Sequence, residues 1–134
     1  MRWQVISLKE FEDDVASLAR SGLVNRAAFI AAVVEQFEDP FKARRLDHFL
    51  TSGSPTAALD RLASSLHPPS IRLQVQRDFR VTAWCYTDAR HVVVTHAFVK
   101  SSDPDYRRAA RIHDDRLTGY VRGMQEFLER LGKR

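Results

Sequence analysis

The feature that most limits the fold is a change of hydrophobic period near residue 70. Before it, apolar residues recur at helical spacing. After it, apolar and polar residues alternate along 71–75 and 79–85, which is typical of strands with one buried face. Residues 92–99 are apolar on both parities, which predicts a central strand. The pattern therefore predicts an α+β fold.

The first 69 residues predict one short strand followed by helices. Asp39 and Asn25 can cap helix N-termini, and a proline directly after Asp39 suits the first helical position. His67-Pro68-Pro69 ends helical structure, because proline removes a backbone donor and restricts its predecessor. The predicted elements are a strand at 3–8, then helices at 9–21, from Asn25, from Asp39-Pro40 and from Ser54-Pro55 through Leu66.

The second half predicts a three-strand antiparallel meander and a C-terminal helix. Tight connections at 77–78 and 87–90 join the three strands. Asp103-Pro104 then starts a helix that runs to about Leu131. Gly119 and Gly123 each cost about 1 kcal/mol relative to alanine, so a break near either is plausible. The chain length suits one domain, 1–134.

The composition limits the cellular compartment that we expect for the protein and the kinds of partner that it can bind. The formal net charge is +4, made of −1 over residues 1–69 (8 Lys+Arg, 9 Asp+Glu) and +5 over 70–134 (13 Lys+Arg, 8 Asp+Glu). The basic second half of the chain favours a nucleic acid as partner, although a solvated, arginine-rich surface would give the same net charge. Cys85 is the single cysteine, which excludes a cysteine-rich zinc site. No apolar run reaches the ~18 residues of a membrane span, so we expect a cytoplasmic protein without a membrane partner.

Four segments of the second half carry a resemblance to a known family: RLQV at 72–75, FRVTAW at 79–84, VVTHAFVK at 93–100 and DPDYRRAARI at 103–112. They resemble the RelE/HigB/ParE toxin superfamily, in particular its phage-derived Gp49-like and HigB-like branch. There, strands similar to ELRI, YRVFY and VLLHGFxKK precede a basic helix. The arginine of ELR falls on Gln74 here, and the second lysine of FxKK falls on Ser101. The resemblance implies a RelE-like domain, with a helical region at about 24–66 that is longer than usual.

The resemblance also implies an activity and its partners. The chain would be the toxin of a type II toxin–antitoxin module, an mRNA endoribonuclease that acts on the ribosome without a metal or other cofactor. Its partners would be a cognate antitoxin, mRNA and the ribosome. In this chemistry a 2′-hydroxyl attacks the adjacent phosphorus, so the site needs cations for the phosphorane and groups that carry protons.

Seven residues are the candidates for this chemistry. Arg80 suits a phosphate clamp, Lys100 suits phosphorane neutralisation, and His96 has the pKa range for proton transfer. Each also has a structural interpretation: a surface arginine, a strand-end lysine, and a hydrogen-bonded histidine that shares a face with Val94 and Phe98. We expect RNA contacts, by stacking and backbone tracking, from Arg72, Tyr106, Arg107 and Arg108.

Two other function classes fit the same sequence. One is a non-catalytic nucleic-acid- or protein-binding module on the same fold, favoured by the exchanges at Gln74 and Ser101. The other is a ParE-like gyrase inhibitor, which the HAFVK strand favours less. A metal site is not expected, because His91, His113, Asp114 and Asp115 lack a convincing ligand spacing.

Overall fold

The structure is a computed structural model that describes residues 2–56, 58–63, 65–101 and 104–133. It confirms the α+β class. The elements are β1 (Gln4–Ser7), α1 (Lys9–Arg20), α2 (Arg26–Glu38), α3 (Pro40–Ser52), β2 (Leu59–Arg61), β3 (Ser70–Val75), β4 (Phe79–Tyr86), β5 (His91–Val99) and α4 (Pro104–Gly132).

Local capping chemistry sets the ends of α2 and α3. The Asn25 side chain accepts a hydrogen bond from the Ala28 amide, and the Asp39 side chain accepts from the amides of Phe41 and Lys42. Gly53 then ends α3 with a φ of 74°, a left-handed conformation that glycine adopts without a Cβ penalty. Both predicted N-caps are thus confirmed.

The five strands form one mixed sheet in the order β1-β5-β4-β3-β2. The predicted meander is confirmed, since β3–β4 and β4–β5 pair antiparallel. β1 pairs parallel with β5, with Gln4 opposite His91. The prediction that β5 is central is confirmed, because this strand lies between β1 and β4.

The sheet is covered on both faces. The main core lies between α1–α3 and one face, where Phe11, Phe29 and Phe37 are at most 1% exposed. Fully burying a side chain of this size contributes roughly 1.5–3 kcal/mol. On the opposite face α4 packs through Leu117, with Leu8 and Val93 buried beneath it. The candidate residues of β3, β4 and α4 therefore belong to the α4 side.

Two predictions about the elements are wrong. The helix expected from Ser54-Pro55 to Leu66 is absent from the described part of that segment, which instead forms the edge strand β2. Leu59 and Arg61 of β2 pair with Leu73 and Ile71 of β3, and strand pairing outweighs the helical spacing. The break considered near Gly119 or Gly123 does not occur. Helix α4 is continuous through both glycines.

A shift of register in β4–β5 changes the face of one candidate residue. Thr82 pairs with His96, but Ala83 pairs with Val94, so Thr95 is an additional residue in β5. Val94 lies in the core under the helices, whereas His96 contacts Arg116 of α4. The expectation that His96 shares a face with Val94 is therefore wrong.

Every helix within the described ranges is too short or too polar to cross a membrane.

Candidate functional site

Three cations converge on one tyrosine at the α4 side of the sheet. The Arg72 guanidinium carbon lies 3.7 Å from the centroid of the Tyr106 ring, and Lys100 Nζ lies 4.8 Å from it. Arg80 Nε donates to the Tyr106 hydroxyl at 3.3 Å. We call Arg72, Arg80, Lys100 and Tyr106 the Tyr106 cluster. It brings together four of the seven residues predicted from the sequence.

Strand register assembles the cluster from distant segments. Arg80 of β4 lies opposite Gln74 of β3 and Phe98 of β5, two residues before Lys100. Tyr106 comes from the first turns of α4 and packs edge-on against Phe98, with ring centroids 6.2 Å apart. The sheet rim and the start of α4 therefore present their cations at one place.

The β3–β4 turn fixes Arg80. Gln76 and Arg77 both have a φ of 52°, which turns the Arg77 carbonyl so that it accepts from Arg80 Nη1 at 2.6 Å. The Asp78 carbonyl of the same turn accepts from the Lys100 amide at 2.9 Å. An arginine held this way loses less side-chain entropy when it binds an anion.

Gln74 stands where the ELR motif that this strand resembles has an arginine. Its amide donates to the Arg77 carbonyl at 2.7 Å and supports the turn. Arg72, two residues earlier on the strand, supplies the cation that contacts Tyr106. The cluster thus receives a cation from Arg72 of this strand, although Gln74 carries no charge.

Asp60 is a functional candidate that the sequence did not indicate. It lies opposite Arg72 in the β2–β3 register, and its Oδ2 accepts from Arg72 Nη2 at 2.8 Å. The two side chains are 34% and 28% exposed, so water and salt screen this ion pair only in part. Any anion that binds Arg72 has to compete with Asp60.

The cluster borders a cleft of only about 30 Å³. That volume holds about one water molecule and no nucleotide. The described lining residues are Thr56, Ala58, Leu59, Asp60, Arg72, Gln74, Arg80 and Tyr106. A ligand of the cluster therefore lies on the surface, as a polymer backbone can, and is not enclosed.

His96 is held by an ion-pair network beside the cluster. Its Nδ1 lies 2.7 Å from Asp14 Oδ2, and Arg116 Nη1 donates to the same oxygen at 2.6 Å. Arg116 can only donate, so its 3.2 Å approach to Nδ1 follows from the shared carboxylate, and Nδ1 carries the proton. Burial raises the Asp14 pKa, but hydrogen bonds from His96, Arg116 and the Ala97 amide outweigh it and hold the pKa below its usual value.

Phe98 joins His96 to the cluster through stacked rings. The His96 and Phe98 rings are stacked with centroids 5.2 Å apart, and Phe98 then contacts Tyr106. His96 is thus one aromatic ring away from the cations, and its side chain is 12% exposed.

The remaining predicted residues lie at the start of α4. Arg107 and Arg108 are exposed there, directly after Tyr106. Ser101 donates through its amide and hydroxyl to Asp105 Oδ2 at 2.7 and 2.9 Å. Asp103, at the predicted start of this helix, lies outside the described residues.

A buried polar network anchors α4 behind the cluster. His113 is fully buried, with its Nδ1 2.6 Å from the Thr95 hydroxyl and its Nε2 2.8 Å from the Ser70 hydroxyl. Burial lowers the pKa of His113 to about 4, so this ring is neutral at pH 7. The network positions the helix that carries Tyr106.

Two other chemistries find no support in the described residues. No group of three or more His, Cys, Asp or Glu side chains there is placed to hold a metal ion. Cys85 is buried in β4, and burial raises the pKa of its thiol to about 12, which keeps it protonated and unreactive.

No family model matches the sequence. No curated protein matches it either. Among solved structures, the metal-bound toxin from Helicobacter pylori is similar over 74% of this chain and 94% of its own, with 12% identity and a TM-score of 0.45. The toxin–antitoxin complex RelBE2 from Mycobacterium tuberculosis is similar over 75% of this chain and 100% of the matched chain, with 17% identity and a TM-score of 0.45.

Proposed function

We propose that this protein is the toxin of a type II toxin–antitoxin module and cleaves mRNA without a metal, with the Tyr106 cluster as its phosphate site. The observation that carries the proposal is the convergence of Arg72, Arg80 and Lys100 on Tyr106. Three cations on an open rim suit a polyanion, and the motifs of the second half resemble those of ribonuclease toxins.

The proposed chemistry follows from the positions of the cations. Arg80, fixed by the β3–β4 turn, binds a phosphate with its guanidinium while the 2′-hydroxyl of the preceding nucleotide attacks phosphorus. The bond from phosphorus to the 5′-oxygen of the next nucleotide breaks, which leaves a 2′,3′-cyclic phosphate and a new 5′-hydroxyl end. Lys100 stabilises the charge that builds on the phosphorane. The Tyr106 ring can also stack on a base beside the scissile phosphate, and Arg107 and Arg108 extend the positive surface along α4.

In this proposal His96 transfers a proton through Nε2. Asp14 accepts a hydrogen bond from Nδ1–H, which leaves the Nε2 lone pair free to take the proton of the 2′-hydroxyl and pass it to the leaving 5′-oxygen. Since Phe98 separates the histidine from Tyr106, the RNA would have to span both groups along the sheet face. The ribosome is the proposed place of action and would hold the mRNA in that path.

A specific observation favours the second candidate, a non-catalytic binding module. Asp60 neutralises Arg72, and Ser101 contacts Asp105 where the family has a lysine. A site with fewer available cations binds a phosphate backbone more readily than it stabilises a phosphorane. RNA cleavage products separate the two candidates directly.

The test is induced expression in bacteria with mapping of 5′-hydroxyl ends in cellular mRNA. The wild type should arrest growth and create new ends, and Arg80→Ala or Lys100→Ala should each lower their number at least tenfold. Arg122→Ala, which removes an exposed arginine farther along α4, is the matched control and should cleave like the wild type. Absence of new ends with retained RNA binding would support the binding module instead.

An antitoxin partner is part of the proposal. Co-expression of the neighbouring open reading frame should abolish the new 5′ ends and restore growth. Continued cleavage in the presence of every adjacent gene product would contradict the toxin–antitoxin assignment while leaving ribonuclease activity intact.

A further inference from the structure

A cavity lies away from the Tyr106 cluster, between α3 and β2. It measures about 480 Å³. We call it the α3–β2 groove. Its apolar lining consists of Phe37, Phe41, Leu46, Phe49, Leu59 and Leu73.

The rim of this groove is cationic. Lys42, Arg44, Arg45 and His48 line it, and no carboxylate is among its described lining residues. Residues 1–69 hold only 8 Lys+Arg against 9 Asp+Glu, so three of those eight cations border one groove in an otherwise slightly acidic half. Lys42 is partly neutralised by Glu35 at 3.2 Å, whereas Arg44 and Arg45 are exposed. The rim complements a negative partner.

Phe41 gives the groove an exposed aromatic edge. Its ring is 76% exposed although it lies beside an apolar cavity, and the Arg44 guanidinium carbon lies 5.9 Å from the ring centroid. Aromatic residues and arginines are enriched among the residues that contribute most to binding at protein interfaces, because both provide contact area and specific geometry. Binding that covers Phe41 would gain free energy that folding leaves unused.

The spacing of the rim indicates an elongated occupant. Lys42, Arg45 and His48 recur every three residues along α3, so they span about 9 Å of helix axis at 1.5 Å per residue. A single small acid can reach one or two of them, and phosphates of a nucleic acid would leave the apolar floor uncovered. A helix with one apolar face and carboxylates beside it matches both the floor and the rim.

We propose that the α3–β2 groove binds an acidic amphipathic helix of a partner protein. The apolar side chains of that helix would fill the space over Leu46 and Phe49, and its Asp and Glu residues would contact Arg44 and Arg45. This binding does not require RNA cleavage, so it holds or fails separately from the proposed function.

The position of the groove adds a consequence for the candidate site. Thr56, Ala58 and Leu59 line both the groove and the cleft beside Arg72 and Arg80. A partner seated in the groove therefore lies next to the cleft that borders the Tyr106 cluster. In this respect alone the inference rests on the proposed function: the partner would reduce access of RNA to the cations.

The test is selection from a phage-displayed library of 16-residue helices with random charge, on the immobilised full-length chain. Selected helices should be enriched in Asp and Glu beside Leu or Phe. In fluorescence polarisation with the best synthetic helix, Phe41→Ala should weaken binding at least tenfold, and Arg44→Glu with Arg45→Glu at least thirtyfold. Added salt should weaken binding by the wild type.

Matched variants keep the test interpretable. Leu66→Ala removes an apolar side chain that is 75% exposed elsewhere, and Arg122→Glu with Arg130→Glu reverses two exposed charges far along α4. Both should bind the helix like the wild type. Because all the substituted side chains are exposed, each variant should keep the wild-type urea midpoint.

Four results would overturn the proposal. The first two come from the selection: no recovered helix needs Phe41 for binding, or the recovered helices are not enriched in acidic residues. The third is that dodecanoate binds in the groove and no helix does. The fourth is that light scattering shows a wild-type dimer that Phe41→Ala dissociates. The last would assign the groove to a second copy of the chain.

Discussion

Asp60 and Arg72 lie opposite each other across β2 and β3, and their side chains join at 2.8 Å. The contact places a carboxylate inside a cluster of cations that otherwise suits a phosphate. It exists because a three-residue edge strand, β2, follows the long helical region. Asp60 thus tunes how much positive charge the Tyr106 cluster offers to an anion.

Removing that carboxylate should strengthen RNA binding. In Asp60→Asn, Arg72 keeps its place over Tyr106 but loses its counter-ion, so affinity for a 12-nucleotide single-stranded RNA should rise about threefold to tenfold at low salt. Fluorescence polarisation measures the change. Asp88→Asn, which makes the same charge change in the exposed β4–β5 turn, should raise affinity less than twofold. Equal gains in the two variants would mean that only net charge matters.

Tyr106 should act through its ring and not through its hydroxyl. Tyr106→Phe keeps the surface that Arg72 and Lys100 contact, so RNA cleavage should fall less than threefold. Tyr106→Leu removes that surface and should lower cleavage at least tenfold. Rates on one fluorogenic RNA give the comparison. A Phe variant as inactive as the Leu variant would instead assign proton transfer to the hydroxyl.

The Asp14–Arg116 pair should be worth far more than its exposed neighbour on α1. Asp14→Asn leaves the part-buried Arg116 without its charged partner, at a cost of roughly 2–3 kcal/mol in the free energy of unfolding. Asp13→Asn disrupts an exposed pair with Lys9 and should cost less than about 0.5 kcal/mol. Urea unfolding of both variants measures the costs. Equal effects at the two positions would contradict the network.

The free energy of unfolding should decrease as the pH is lowered, because His113 becomes protonated in the unfolded chain at a higher pH than in the folded protein. The folded pKa of about 4 lies below the ordinary 6.5, so the unfolded state binds more protons between these values. The free energy of unfolding should be level above about pH 6.5 and decrease by about 3 kcal/mol as pH falls to 4, since one pKa unit is about 1.4 kcal/mol. Below that, protonation of Asp14 adds a further loss, because its pKa is also lowered.

Urea unfolding at pH 7.5, 5.5 and 4.5 measures this slope. His113→Gln should be less stable at pH 7.5 and show a flatter pH dependence, whereas His48→Gln, an exposed control, should retain the wild-type slope. A slope that survives in His113→Gln would assign the pH dependence to another group.

Local signals in the sequence predicted much of the fold. Asn25 and Asp39 cap helices through atoms within three residues of themselves, so their roles can be predicted from a short window. The strands β3 and β4 follow from alternation along 71–75 and 79–85, and β5 follows from a run that is apolar on both parities. β2 could not be predicted, because three residues give too short a pattern and its partner strand comes later in the chain. Gly119 and Gly123 do not break α4, since the packed residues Leu117 and Tyr120 compensate for their cost.

The candidate site was predictable only in part. Arg72, Arg80, Lys100 and Tyr106 could be selected by charge and by motif, and the structure brings these four together. The surroundings of His96 were not predictable, because Asp14 and Arg116 reach it from separate helices. No local sequence pattern in either helix indicates that Asp14 or Arg116 contacts His96. The register shift at Thr95, which places His96, likewise has no signal in the sequence.

The pairing of β1 with β5 has a consequence for synthesis of the protein. The strand that contains Gln4 can pair with β5 only after His91 has been synthesised. The Tyr106 cluster forms only when both the end of β5 and the first turns of α4 are present. A chain emerging from the ribosome at about 5–20 residues per second therefore exposes the apolar faces of α1–α3 for seconds before the sheet covers them. If the proposed activity holds, the nascent chain is harmless to the message that encodes it until the first turns of α4 have left the ribosome.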